Sequence, residues 1–158
     1  MKPLSIAVLV LTLLFAGHLK TTLAHCEVPC GIYADQHRFA EMLEDASTIT
    51  KAIAQINELV GKMTHGPDPL SANQLVRWVN TKESHATNTQ HIISQYFMTQ
   101  RIRPDSEGYT KKLTAAHAVM LAAMKCKQNA DSKTAEVLQK SILDFYRAYE
   151  GREPVLQD

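Results

Sequence analysis

Residues 35–60 read DQHRFAEMLEDASTITKAIAQINELV. In this run Phe39, Met42, Ala46, Ile49, Ile53, Ile56 and Val60 recur at intervals of three and four, the spacing that lines one face of an amphipathic α-helix. Asp35 stands where an N-cap belongs, because a short carboxylate accepts the unpaired N–H groups of a first helical turn. The length and regularity of this stripe set the terms for the rest of the chain: an element this long must bury its apolar face against other helices.

Toward the C-terminus the pattern stops at Gly61 and the segment Thr64-His65-Gly66-Pro67-Asp68-Pro69, whose glycine and prolines break a helix. Ser71 is placed to cap a second helix running to about Arg101, with apolar positions Leu75, Val79, Ala86, Ile92 or Ile93, Tyr96 and Phe97. Its polar middle, Asn80 to Gln90, predicts a half-exposed face or one turned to a partner subunit. Pro104 and Gly108 mark a turn. Leu113, Ala116, His117, Met120, Leu121 and Met124 form a third stripe, and Asp131 or Ser132 caps a fourth helix carrying Ala135, Leu138, Ile142, Phe145 and Tyr149. The acidic tail from Glu150 to Asp158 reads as frayed. Strand alternation and hairpin turns are lacking and the connections are short, so the fold expected is an all-α, up-and-down four-helix bundle.

A chain of 158 residues supports one such domain. Its apolar fraction of 45%, charged fraction of 21% and formal net charge of +1 give no reason to expect a nucleic-acid partner. Residues 1–24 differ from the rest. Lys2 precedes an apolar run from Leu4 to Ala16 interrupted by Ser5 and Thr12, and Thr22-Leu23-Ala24 offers a small-residue cleavage site, the layout of a cleaved leader. The run is shorter than the roughly 20 residues needed to span a bilayer, so no membrane segment is expected in the mature form. Removing residues 1–24 takes away Lys2 and Lys20 and no acid, leaving 15 basic and 16 acidic side chains on residues 25–158.

Between leader and first helix lies His25-Cys26-Glu27-Val28-Pro29-Cys30-Gly31-Ile32-Tyr33. Thiolates beside an imidazole suit nickel, copper or zinc. If a peptidase cuts between Ala24 and His25, His25 offers a free α-amine as well as its imidazole. The amine, the backbone nitrogen of Cys26 and the Cys26 thiolate then close two fused chelate rings. Cys30, brought back by a turn at Pro29 and Gly31, can fill the fourth corner of a square plane, which suits nickel(II) or copper(II) better than tetrahedral zinc. The imidazole can approach axially. Anionic thiolate and amidate donors stabilise a higher oxidation state and so favour redox use of nickel. Cys26 and Cys30 could instead form a disulfide in an exported chain. Three cysteines exclude complete internal pairing.

The hook at 25–33 resembles that of the nickel superoxide dismutases, whose motif His-Cys-x-x-Pro-Cys-x-x-Tyr is filled at every fixed position, and the similarity extends through most of residues 25–150. The resemblance implies an antioxidant enzyme that converts superoxide to dioxygen and hydrogen peroxide by cycling one nickel ion per subunit between two oxidation states. His25, Cys26 and Cys30 would be the metal ligands. Tyr33 would lie over the open face of the nickel, Tyr96 would be the second tyrosine near the site, and Glu41 would orient the axial imidazole. Pro29 resembles a proline held in cis. A homo-hexamer of four-helix bundles is implied as well. An arginine that some members carry on the second helix is replaced by Thr81, with Lys82 and Arg77 as neighbouring substitutes.

The same hook would also serve a non-catalytic nickel or copper carrier. The leader favours export to a periplasm or the extracellular space, whereas propeptide removal inside the cell would leave a cytoplasmic enzyme. His37, His65, His85, His91 and His117 lack metal-ligand spacing and read as structural or surface residues. Cys126 reads as a buried free thiol, and Met42, Met63, Met98, Met120 and Met124 as gap-filling side chains.

Overall fold

The long stripe at 35–60 forms helix α1, Asp35–Lys62, and buries Phe39, Met42, Ala46, Ile49, Ile53 and Ile56. The structure is a computed structural model that describes residues 35–63, 66 and 68–154. The last position of the stripe departs from expectation: Val60 is 51% exposed, because α1 outruns the core it packs on.

Helix α2, Pro69–His91, is capped by Asp68 and not by Ser71. The Asp68 carboxylate accepts the backbone N–H groups of Leu70 and Ser71, and the Ser71 hydroxyl donates to it as well. Pro69 at the first helical position has no N–H to lose there. The polar middle of α2 is turned further inward than expected. Lys82, Ala86 and Thr89 are buried, and His85 and Asn88 reach across to α1.

Residues Ile92–Arg101 continue α2 as a π-helix. The Ile102 N–H bonds the Phe97 carbonyl, while the Thr99 hydroxyl and the Gln100 side-chain amide donate to the carbonyls of Ser94 and Gln95, each five residues back. Ile92, Ile93, Tyr96 and Phe97 are all buried along it, so both isoleucines face inward where one was expected. The wider turn also brings residues five apart to the same side, so that Arg101 stands over the Tyr96 ring with its guanidinium carbon 4.9 Å from the centroid.

Helix α3, Tyr109–Gln128, is rotated from the predicted register. Its buried face is Ala116, Val119, Ala122, Ala123 and Cys126, while His117 and Leu121 are exposed and Leu113 and Met120 pack at the margin of the core. Three alanines on one face give α3 a smooth side for close approach to its neighbours. Helix α4, Ser132–Glu150, is capped by Asp131 and buries Ala135, Leu138, Ile142, Phe145 and Tyr146. It ends at Gly151, whose φ of +71° closes the C-cap onto the Arg147 carbonyl. The chain beyond is tied down at its start, since Arg147 Nε donates to both oxygens of Glu153 at 3.0 and 2.8 Å.

Helix α1 packs against α2 and α4, and α3 packs against the same two, so the four helices close into a bundle with sequence neighbours adjacent. The described residues contain no strand, and none of their helices is long and apolar enough to cross a membrane. One end of the core is aromatic. Phe39 lies 4.9 Å from Phe97 and 4.9 Å from Tyr146 between ring centroids, and Phe97 stands edge-on to Phe145 at 4.9 Å. Such tilted and edge-to-face contacts add to what area burial supplies. This rigid end carries the first turn of α1.

Candidate functional site

The carboxylate of Asp35, the first residue of α1, is gripped by side chains from two other elements. Its Oδ1 accepts the Tyr96 hydroxyl at 2.5 Å and Arg101 Nε at 3.1 Å, and its Oδ2 accepts the Tyr149 hydroxyl at 2.7 Å. Arg101 Nη2 donates in turn to the Tyr96 oxygen at 2.9 Å. Tyr96 is only 2% exposed. Burial, and next the Asp35 hydrogen bond, push its hydroxyl pKa above the usual tyrosine value, with Arg101 pulling the other way. Tyr149 is raised for the same two reasons. Both phenols are therefore fixed donors, and the single proton of Tyr96 is committed to Asp35.

A second polar cluster follows one turn along α1. Arg38 Nη1 donates to Glu41 Oε2 at 2.7 Å, and Asn88 Nδ2 donates to Glu41 Oε1 at 3.2 Å. Asn88 also donates to Asp45 Oδ2 at 3.0 Å, beside the Thr89 hydroxyl at 3.0 Å, and His85 Nδ1 lies 2.6 Å from Asp45 Oδ1. Burial pushes the Asp45 carboxyl above its ordinary value, opposed by the hydrogen bonds from His85, Asn88 and Thr89. Arg38 joins the two clusters: its guanidinium carbon lies 5.2 Å from the centroid of the Tyr96 ring.

Of the residues singled out from sequence, Tyr96 and Glu41 fall in these clusters, linked through Arg38. His25, Cys26, Cys30 and Tyr33, like the Pro29 bond and the leader, lie outside the described residues. Asp35 begins the described chain two residues after Tyr33. Among the described residues no group of three or more His, Cys, Asp or Glu side chains can hold a metal ion. Cys126 is the buried thiol expected of it; its Sγ donates to the Thr134 carbonyl at 3.3 Å, and burial raises its pKa.

Neither expected substitute for a second-helix arginine serves the Glu41 cluster. Lys82 is buried elsewhere, its Nζ donating to the carbonyls of Cys126 and Lys127 at 2.5 and 2.8 Å and pairing with Glu83 at 2.8 Å, so that it closes the C-terminal end of α3. Arg77 is exposed, and the Thr81 hydroxyl bonds the Arg77 carbonyl one turn back in its own helix. The arginine on Glu41 comes from α1 itself. From sequence, Asp35 reads only as a cap and Tyr149 only as an apolar position of the last helix, while Arg38 and Arg101 have no assigned role; the i, i+3 spacing of Arg38 and Glu41 is the one visible signal.

Compared with known proteins, the chain is matched over residues 20–152 by the model of one family, described as nickel-containing superoxide dismutase. Neither a curated protein nor a solved structure matches it. The match takes in the hook positions and all four helices and implies a nickel cofactor and superoxide as substrate. With most of its length so matched, the chain belongs to the nickel-containing superoxide dismutase family.

Proposed function

We propose that the nickel of this superoxide dismutase is held by the amino terminus that cleavage at Ala24 exposes, through the His25 amine and imidazole, the Cys26 amide nitrogen and thiolate, and the Cys30 thiolate. Nickel bound there supplies a one-electron couple, nickel(III)/nickel(II), so that two superoxide ions and two protons become one dioxygen and one hydrogen peroxide. The donor set fits the metal, since thiolate and amidate donors in a plane suit nickel(II). The described bundle offers no competing cluster of donors.

The observation that carries the reading is the fixed start of α1. Asp35 is five residues past Cys30 and two past Tyr33, and hydrogen bonds from Tyr96, Arg101 and Tyr149 hold it against the aromatic end of the core. A short hook attached there has a rigid base, which helps hold the donors of a metal site in place. Glu41 has two of its four acceptor positions filled, by Arg38 and Asn88. The others can accept the second N–H of the His25 imidazole and fix the ring. Tyr33 would order small anions and water over the metal. Tyr96, its proton engaged by Asp35, supports that face through its ring and its bond to Arg101.

We assign one nickel per subunit, a peptidase acting between Ala24 and His25, and a homo-hexamer. The exposed apolar side chains Leu70, Val76 and Leu121 support assembly. The leader supports export. Mass spectrometry of the mature protein with metal analysis tests the assignment: the chain should begin at His25, hold one nickel and dismutate superoxide. A Cys26–Cys30 disulfide without nickel, or full activity in a chain that still carries residues 1–24, sinks it. Nickel bound without dismutation marks a carrier instead.

A further inference from the structure

Arg38 has three relationships that a surface arginine lacks. Its side chain is only 15% exposed, and its Nη1 donates to Glu41 at 2.7 Å. Its guanidinium carbon lies 5.2 Å from the centroid of the Tyr96 ring, within cation–π range. Its Nε is buried and has no hydrogen-bond partner among the described residues. A buried donor left unpaired costs free energy that a structure rarely carries without use. A planar, permanently charged fork in this position fixes a carboxylate and an aromatic ring relative to one another, which a flexible ammonium does poorly.

We propose that Arg38 is a positioning residue of the nickel site: it locks Glu41 to Tyr96, so that the carboxylate that would accept the His25 imidazole N–H and the Tyr96 ring move as one unit. This rests on the reading that His25 is the axial ligand. Arg38 touches neither metal nor substrate and acts through Glu41. Nη1 holds Oε2, the guanidinium sits over the ring, and Asn88 holds Oε1 from the neighbouring helix at 3.2 Å. Glu41 thereby has one orientation available. Because Arg38 and Glu41 lie in the first turns of α1, directly beyond Asp35, the same rigid segment carries the base of the hook.

The test uses mature, nickel-loaded protein and two readouts: turnover, and the electron paramagnetic resonance spectrum of nickel(III), in which an axial nitrogen splits the signal. Arg38→Met should retain the full nickel content, because all ligands are intact, yet alter or broaden the nitrogen splitting and lower turnover by about 10- to 100-fold, the usual effect of removing an outer partner of a metal-bound histidine. Arg38→Lys should recover the charge but not the splitting. The double variant Arg38→Met/Glu41→Gln should fall no further than the worse single variant, since both break one chain of contacts. Wild-type splitting and turnover in Arg38→Met overturn the proposal, as does a multiplicative loss in the double variant. Should Arg38→Met fail to fold, Arg38→Lys decides: an unchanged splitting counts against the role, and a changed one supports it. His25→Gln separates the two levels. If it leaves the splitting intact, the axial-ligand reading itself fails and takes this proposal with it; if it abolishes the splitting while Arg38→Met does not change it, only the role of Arg38 fails.

Discussion

The hydroxyl of Tyr96 and the Oδ1 of Asp35 lie 2.5 Å apart across sixty-one positions of sequence. That bond joins the π-helical segment to the first residue of α1, and Arg101 and Tyr149 complete the grip. Asp35 is thus more than a helix start: one carboxylate accepts three donors in a partly buried setting, with 24% of its side chain exposed.

Removing that acceptor strands the donors. Asp35→Ala should lower stability by about 2–3 kcal/mol, the range for losing hydrogen bonds to a charged group. Asp35→Asn, which still accepts through one oxygen, should cost about half as much. Urea unfolding followed by circular dichroism measures both, and the slope should stay unchanged while the midpoint moves. A loss below ~0.5 kcal/mol for Asp35→Ala, the range of an ordinary surface change, would mean that the grip carries no net energy.

The two phenols on Asp35 predict an alkaline limit. Burial and the Asp35 hydrogen bond raise the pKa of both Tyr96 and Tyr149. Each then binds its proton more tightly folded than unfolded, so its contribution to stability is fully present below the unfolded value of about 10 and is lost as pH rises through the folded one. Ultraviolet titration of tyrosinate in folded protein should show two phenols that ionise only above the ordinary tyrosine value of about 10, and stability should decline above about pH 10. The Tyr149→Phe variant should lose part of that decline. An ordinary titration of all the tyrosines in folded protein would refute the prediction.

The fold was legible where side-chain volume makes the pattern unambiguous. Phe39, Met42, Ile49 and Ile53 on α1, and Leu138, Ile142 and Phe145 on α4, are large, evenly spaced and fully buried. On α3 the pattern misled because the true inner face is mostly alanine, which carries little hydrophobic signal, while Leu121 drew the stripe to the wrong side. The π-helix left no trace, since Ile92, Ile93, Tyr96 and Phe97 fit an α-helical face nearly as well. At the candidate site, Glu41 and Tyr96 came from the family pattern of residues, but their connection through Arg38 and the Asp35 grip did not. The contacts on Asp35 join positions 61 to 114 apart, and local spacing carries no information about them; of the Arg38 link, spacing shows only the i, i+3 relation to Glu41.

Lys82 illustrates a polar residue with a structural task. It is 4% exposed and closes the two last-turn carbonyls of Cys126 and Lys127, which α3 leaves without partners of its own. Lys82→Met should retain the nickel content and lower stability by about 1–3 kcal/mol, the cost of leaving buried polar groups unpaired. The melting temperature should drop by about 2–4 °C per kcal/mol for a domain of this size. A drop accompanied by lost nickel in the folded protein would instead tie Lys82 to the metal site.

Cys126 and the hook cysteines should differ sharply in reactivity. Cys126 is completely buried, its Sγ is engaged by the Thr134 carbonyl, and burial raises its pKa, so it presents little thiolate and no access. In a Cys26→Ser/Cys30→Ser variant, where Cys126 is the sole thiol, iodoacetamide at pH 8 should label native protein negligibly and label it fully in denaturant. In the unsubstituted, metal-free mature chain the same reagent should add two labels in the folded state, both at the hook, and nickel should suppress them. The sign of the metal effect follows from chemistry, because a thiolate bound to nickel is withdrawn from alkylation. Rapid labelling of Cys126 in the folded variant would show that the α3–α4 end of the bundle opens readily, contrary to its close packing. Labelling of the hook unaffected by nickel would show that Cys26 and Cys30 do not hold the metal.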